Sequence, residues 1–191
     1  MNSLTLVLMS GSREYREAKD NEAFYRKSNF IQNNSCYTKM NLNQKKFEEI
    51  KNILIEKLRS KVEYSKDEDE TEYLAVKKSN FWISTTFGEL VVGYGLHHTH
   101  FSEELKNLDN GIVQAFDLLT NRIKTTNYIK GNTIFKTTVE IEYPDATLVN
   151  IGSSGLILFP FWKKTKLEVK YDEKILEKKE IENQVNSILE T

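Results

Sequence analysis

The sequence contains few of the residues and segments that mark secreted and membrane-spanning proteins. Its 191 residues include one cysteine and two prolines. The single thiol, Cys36, excludes an intrachain disulfide and favours a reducing compartment, so we expect a cytoplasmic location. No apolar run reaches the roughly 18 residues of a transmembrane helix. The short apolar start at Leu4–Leu8 lacks the preceding basic residues of a secretory signal. We therefore expect no membrane partner.

The chain also lacks a surplus of either charge. It has 27 basic and 28 acidic residues, which give a formal net charge of −1. General binding to polyanions needs an excess of lysine and arginine, so nucleic acid is an unexpected partner. Lys163, Lys164 and Lys166 are too few to change that expectation. Aromatic residues make up 11% of the chain, which is more than a disordered chain carries and indicates a packed core.

Nothing in the sequence marks an internal domain boundary. There are no repeats and no linkers rich in proline or serine, and the length suits one hydrophobic core. We therefore expect a single domain over residues 1–191. Residues 1–40 are poorly assigned: Leu4–Leu8 is compatible with a strand and 13–27 with a helix. The oligomeric state is left open.

Three segments carry the 3.6-residue apolar spacing of amphipathic helices. The first follows Asn41 or Asn43 as N-cap, the second follows Asp109 as N-cap, and the third lies in the tail over 172–191. Their apolar positions are Phe47, Ile50, Ile53, Leu54, Leu58 and Val62; Ile112, Ala115, Phe116, Leu119 and Ile123; and Ile181, Val185, Ile188 and Leu189.

Segments with a two-residue period alternate with these helices. Residues 81–87 and 90–94 flank Gly88-Glu89 and predict a hairpin, and 133–143 and 147–151 flank Pro144-Asp145 and predict another. A break is expected at 152–155, followed by a strand at 164–171. Consecutive hairpins predict an α+β fold, with an antiparallel, meander-like sheet covered by about three helices. The intervening segment 156–162 is strongly apolar, and we expect its aromatic part, residues 159–162, in the core more than at an interface.

Five acids fall within the eight residues 65–72. Such density predicts a solvated loop, because like charges repel and bury nothing. A cluster of carboxylates can also hold a basic partner, such as the nucleic-acid-binding face of a nuclease. Tryptophan is enriched in binding hot spots. The candidate partner-binding residues are therefore Asp67, Glu68, Asp69, Glu70, Glu72 and Trp162.

All three histidines lie within residues 97–100. On a strand, His98 and His100 point to the same side, roughly 7 Å apart at Cα, from which both imidazoles can reach one zinc-type ion. A catalytic metal needs at least a third protein ligand and usually a carboxylate base. The nearby acids are Glu89, Glu103, Glu104, Asp109 and Asp117. We favour a structural role or a partner contact for the pair over metal binding. No complete catalytic set is apparent, so we lean against an enzyme and expect no cofactor.

The hairpin region resembles a recurring element of small bacterial proteins. Over residues 81–101 the sequence is FWISTTFGELVVGYGLHHTHF, and the shared pattern is W-I, then G-E-L-V-V-G-Y, then H-T-H-F. Some of those proteins are similar to immunity proteins encoded beside polymorphic or contact-delivered toxins. The resemblance implies a cytosolic protein that binds and neutralises a cognate toxin without catalysis. The alternative is a metal-dependent hydrolase that uses His98 and His100, and a third possibility is a scaffold domain.

Overall fold

The computed structural model describes residues 41–86 and 88–190. The predictions for residues 1–40, Cys36 among them, lie outside this range. The described residues form three α-helices, nine β-strands and one 3-10 turn. In chain order these are α1 Leu42–Leu58, the 3-10 turn Arg59–Lys61, β1 Val62–Lys66, β2 Glu72–Val76, β3 Phe81–Thr86, β4 Glu89–Tyr94, β5 His97–Phe101, α2 Leu108–Thr120, β6 Arg122–Lys130, β7 Thr133–Glu142, β8 Leu148–Gly155, β9 Thr165–Asp172 and α3 Lys178–Leu189.

The strands form two antiparallel sheets, which confirms the predicted α+β class. The first sheet is a five-stranded meander in the order β1-β2-β3-β4-β5. In the β3–β4 hairpin Thr86 pairs with Glu89, so Glu89 already belongs to β4, one residue earlier than expected. Gly88 supplies the positive φ of 83° that this tight connection requires. The sequence prediction missed β1 and β2, because it described residues 65–72 as a solvated loop and placed Val62 in the first helix.

The second sheet has the strand order β8-β7-β6-β9. Three strands follow one another through hairpins and the fourth returns beside the first, which is a Greek key arrangement. The predicted break at 152–155 is wrong, because Gly152–Gly155 continues β8 opposite β7. Since β8 and β9 lie at opposite edges, the connection between them crosses the end of the sheet where β6 turns into β7.

One core joins the helices to both sheets. Helices α1 and α2 pack on the same face of the first sheet, with Phe47, Ile50 and Ile112 against the inward side chains of β2–β5. The second sheet contributes Ile123, Val139 and Ile141, and α3 contributes Ile181 and Ile188.

The helix ends differ from the sequence prediction at several positions. Val62 and Ile123, which were expected in the apolar stripes of the first two helices, lie instead in β1 and β6. Asn41 caps α1, because its side-chain oxygen accepts a hydrogen bond of 2.8 Å from the Gln44 amide. Helix α2 begins at Leu108, with Asn107 rather than Asp109 at the N-cap position. None of the helices in the described ranges is long and apolar enough to cross a membrane.

Candidate functional site

The face of the first sheet away from α1 and α2 carries four exposed or partly exposed rings. We call Tyr73, Trp82, His98 and His100 the aromatic–histidine face. Their ring centroids lie 5.8 Å apart from Tyr73 to Trp82, 5.8 Å from Trp82 to His98 and 5.2 Å from His98 to His100. Neighbouring strands place them side by side, because Gly93 on β4 pairs with both Trp82 and His98. The rings therefore form a continuous ladder across β2, β3 and β5.

Gly93 makes room for the indole in the middle of the ladder. A Cβ at this position would lie 2.1 Å from Trp82 Cε2, so only glycine fits beneath the ring. The Trp82 indole N–H donates a hydrogen bond of 2.9 Å to the Gly95 carbonyl. Packing from below and a hydrogen bond at the edge hold the ring in one orientation. The backbone of β4 therefore approaches the indole closely at this glycine.

The histidines point as the strand alternation predicts. His98 and His100 lie exposed on the outer face, whereas His97 is half-buried on the other side of β5, against Gly152 of the second sheet. Burial, with the nearby His98, lowers the pKa of His97. His100 Nδ1 lies 2.7 Å from Glu89 Oε2. His98 and His100 therefore lie on the same face as predicted, and the Glu89 carboxylate contacts His100.

Apart from Glu89, the acids considered as further metal ligands are not placed around the histidines as a metal site. Asp117 instead accepts a hydrogen bond of 2.8 Å from the Tyr143 hydroxyl. Asp109 lies in the first turn of α2, and Glu103 and Glu104 are exposed after β5. Among residues 41–86 and 88–190, no group of three or more histidine, cysteine or acidic side chains is positioned to hold a metal ion.

The acidic run forms the tip of the β1–β2 hairpin. We call Asp67–Glu70 the acidic turn; its four side chains are exposed. The turn is closed by hydrogen bonds from the Asp67 amide to the Thr71 carbonyl, 2.9 Å, and from the Glu70 amide to the Asp67 carbonyl, 3.0 Å. Glu72 pairs with Thr85, and the next residue, Thr86, pairs with Glu89. The acidic turn therefore lies at the same end of the sheet as Glu89. The acidic turn therefore borders the aromatic–histidine face.

Glu72, the fifth acid, has a different role, because its residue surface is only 3% exposed. Its Oε1 accepts from Gln44 at 2.7 Å and lies 3.3 Å from Lys66 Nζ. Its Oε2 accepts from Tyr64 at 2.7 Å and lies 3.4 Å from Lys51 Nζ. Burial acts to raise the pKa of Glu72, but the hydrogen bonds from Tyr64 and Lys66 and the nearby positive charges outweigh it and the pKa is lowered. Glu72 therefore holds the β1–β2 hairpin against α1. Because it is buried, it is not a partner-binding residue as predicted, and only the four acids of the acidic turn are exposed for that role.

Trp162 belongs to another surface, on the second sheet. It lies in the connection from β8 to β9, and its residue surface is 72% exposed. The expectation that residues 159–162 enter the core is wrong for Phe161 and Trp162. Five residues of the whole segment 156–162 are more than half exposed: Leu156, Ile157, Leu158, Phe161 and Trp162. The segment crosses the end of the sheet, where no other described element packs over these side chains. The predicted partner-binding residues therefore divide between two surfaces.

Sequence reasoning missed Tyr73 at the first surface. The signal was the alternation of Tyr73 and Ala75 with the buried Leu74 and Val76, which the neighbouring acids obscured. No protein-family model, curated protein or solved structure matches this chain.

Proposed function

We propose that this chain is a cytoplasmic protein-binding module of the immunity type, which neutralises a cognate bacterial toxin by direct binding. The observation that carries the proposal is the junction of the acidic turn with the aromatic–histidine face. Four carboxylates and four exposed or partly exposed rings adjoin on one edge and one face of the same sheet.

The two parts of this surface have complementary roles in recognition. Exposed carboxylates accelerate encounter with a basic partner and exclude acidic ones, whereas rigid aromatic rings supply contact area at low entropic cost. Because Gly93 and Gly95 fix Trp82, little side-chain freedom is lost when a partner packs on it. A basic toxin domain, such as the nucleic-acid-binding face of a nuclease, is the partner that fits this chemistry.

The test is co-expression with the toxin domain encoded beside this chain. We expect the full chain to restore growth of toxin-expressing cells and to form a complex with the purified domain. The double variant Glu68→Lys, Glu70→Lys should weaken that complex at least tenfold at low salt, mainly through slower association. Tyr73→Ala should accelerate dissociation, because it removes a ring of the contact surface.

A matched control reverses two exposed acids elsewhere, Glu168 on β9 and Glu182 on α3. The variant Glu168→Lys, Glu182→Lys changes net charge by the same amount and should bind as the parent does. If both double variants lost affinity equally, the loss would be an effect of net charge alone, and the acidic turn would not be the binding site. Failure to protect against the neighbouring toxin would overturn the proposal.

The competing hypothesis, a divalent-metal hydrolase at His98 and His100, has its own readout. It requires about one equivalent of zinc, manganese or iron in protein purified without chelator or affinity tag, lost in a His98→Ala, His100→Ala variant. The binding hypothesis requires the protein to protect against toxin after metal has been removed. The two measurements separate the hypotheses on one preparation.

A further inference from the structure

The far end of the second sheet has only positive charge. Residues 128–137 and 155–167 contain five lysines and no acid, although the whole chain has a formal net charge of −1. Lys130 and Lys136 lie on β6 and β7, Lys163 and Lys164 lie in the connection from β8 to β9, and Lys166 lies on β9. We call this end of the sheet, together with residues 156–162, the basic–apolar tip. Its charge is complementary to an anionic partner.

The same tip exposes four large apolar side chains. Ile157 is 95% exposed, Leu158 89%, and Phe161 and Trp162 72% each. Isolated apolar residues on a surface are ordinary, but a contiguous set that includes aliphatic and aromatic side chains marks an interaction site. The phenyl and indole rings of Phe161 and Trp162 pack edge to face with centroids 5.1 Å apart.

The Greek key connection holds these side chains outward. Phe159 turns back and stacks on Phe135, with centroids 4.5 Å apart. The Leu156 amide donates to the Phe135 carbonyl at 2.8 Å, and Lys130 Nζ donates to the Phe161 carbonyl at 2.8 Å. The loop is therefore attached to the β6–β7 hairpin at three points, and Ile157 and Leu158 project between those attachments.

We propose that the basic–apolar tip docks this protein on an anionic lipid bilayer. Ile157, Leu158, Phe161 and Trp162 enter the boundary between headgroups and acyl chains, and the lysines contact lipid phosphates around them. An apolar tip supplemented by a basic patch is the pairing of signals that gives stable peripheral binding. Tryptophan prefers this boundary because its ring is apolar and its N–H needs a polar partner.

The side-chain types favour lipid over the other anionic partners. Single-stranded nucleic acid stacks on aromatic rings, but it offers nothing to Ile157 and Leu158, which are the most exposed apolar residues of the tip. A bilayer accepts aliphatic and aromatic side chains alike. This inference revises the expectation of no membrane partner, which addressed spanning segments, and it is independent of the proposed toxin binding on the first sheet.

The experiment is co-sedimentation of the full chain with phosphatidylcholine vesicles that contain about 30 mol% of the anionic lipid phosphatidylglycerol. We expect pelleting with these vesicles, little with pure phosphatidylcholine, and release as salt is raised. Ile157→Ser, Leu158→Ser should weaken partitioning by more than about tenfold. Lys164→Gln, Lys166→Gln should weaken it about fivefold per lysine. Vesicles should shift the tryptophan emission of the parent to shorter wavelength, and Trp162→Phe should abolish that shift.

Matched controls use equally exposed residues on the first sheet. Leu96 in the β4–β5 turn is 88% exposed, and Lys77 and Lys78 are exposed between β2 and β3. Leu96→Ser and Lys77→Gln, Lys78→Gln should bind vesicles as the parent does. Equal losses in tip and control variants would overturn the proposal. So would absence of pelleting at low salt, a tip-dependent dimer without vesicle binding, or lysine-dependent binding of single-stranded DNA in place of vesicles.

Discussion

Replacing Glu72 by glutamine should loosen the hairpin that carries the acidic turn. The substitution keeps the shape of the side chain and removes its charge. Glutamine can still accept from Tyr64 or Gln44, but those hydrogen bonds lose the strengthening that a carboxylate gives. Lys51 loses its ion pair with Glu72 and keeps Glu48 at 2.6 Å. Lys66 is 48% exposed, so its ion pair contributes little.

The free energy of unfolding should fall by about 2 to 3 kcal/mol. Roughly 1 kcal/mol comes from each of the two weakened hydrogen bonds, and the remainder from the lost pairing with Lys51. The assay is equilibrium unfolding in urea, followed by circular dichroism, with Glu68→Gln as the control. Glu68 lies in the exposed acidic turn, and its neutralisation should change stability by less than about 0.5 kcal/mol.

The pH dependence provides the second part of this test. Because the pKa of Glu72 is lowered in the folded protein, its charge stabilises the fold above the unfolded pKa of about 4.3 and ceases to do so as pH falls through the lower folded value. The stability difference between parent and Glu72→Gln should therefore be constant near neutral pH and should shrink in acid below about pH 4. Ordinary surface substitutions change the free energy of unfolding by up to about 0.5 kcal/mol. A difference between parent and Glu72→Gln below that limit at pH 7, or one that grows in acid, would refute the anchoring role.

Three further outcomes are expected. Gly93→Ala should destabilise by about 2 kcal/mol through its clash with Trp82, and urea unfolding of Gly93→Ala, Trp82→Ala should show a smaller loss than the sum of the singles. Since burial lowers the pKa of His97, protonation favours the unfolded chain; stability should decline as pH falls below about 6.5, and less so in His97→Gln. Burial, with Asp117, raises the pKa of Tyr143 to about 12. The substitution Tyr143→Phe should lower the free energy of unfolding by about 1.5 kcal/mol, and ultraviolet titration of the variant should show one phenolate fewer forming near that pKa.

Local periodicity was sufficient for most of the fold. Asn41 and the apolar stripe behind it defined α1, and the alternation from Phe81 onward defined the β3–β4 hairpin. The same alternation oriented His98 and His100 correctly, because side-chain direction on a strand depends only on position parity.

What escaped the sequence depends on contacts that are distant along the chain. Glu72 looks like one more surface acid until Lys51 from α1 and Tyr64 from β1 surround it. The apolar run 156–162 has the composition of a core strand, but the edge-to-edge connection of the second sheet takes it across solvent. The composition of this run indicates how much free energy its burial would release, but it does not indicate whether the topology of the sheet buries it.

The Greek key order of the second sheet also fixes the sequence in which the sheet can assemble. Strands β6, β7 and β8 pair with neighbours along the chain, so their hairpins can close soon after they are synthesised. β6 receives its other partner only when β9 pairs Thr165 with Lys130 and Asp172 with Ile123. Until then β6 is an open edge beside an exposed apolar loop, a combination that invites pairing with another chain. Nascent or truncated chains that end before β9 should therefore be the aggregating species of this protein.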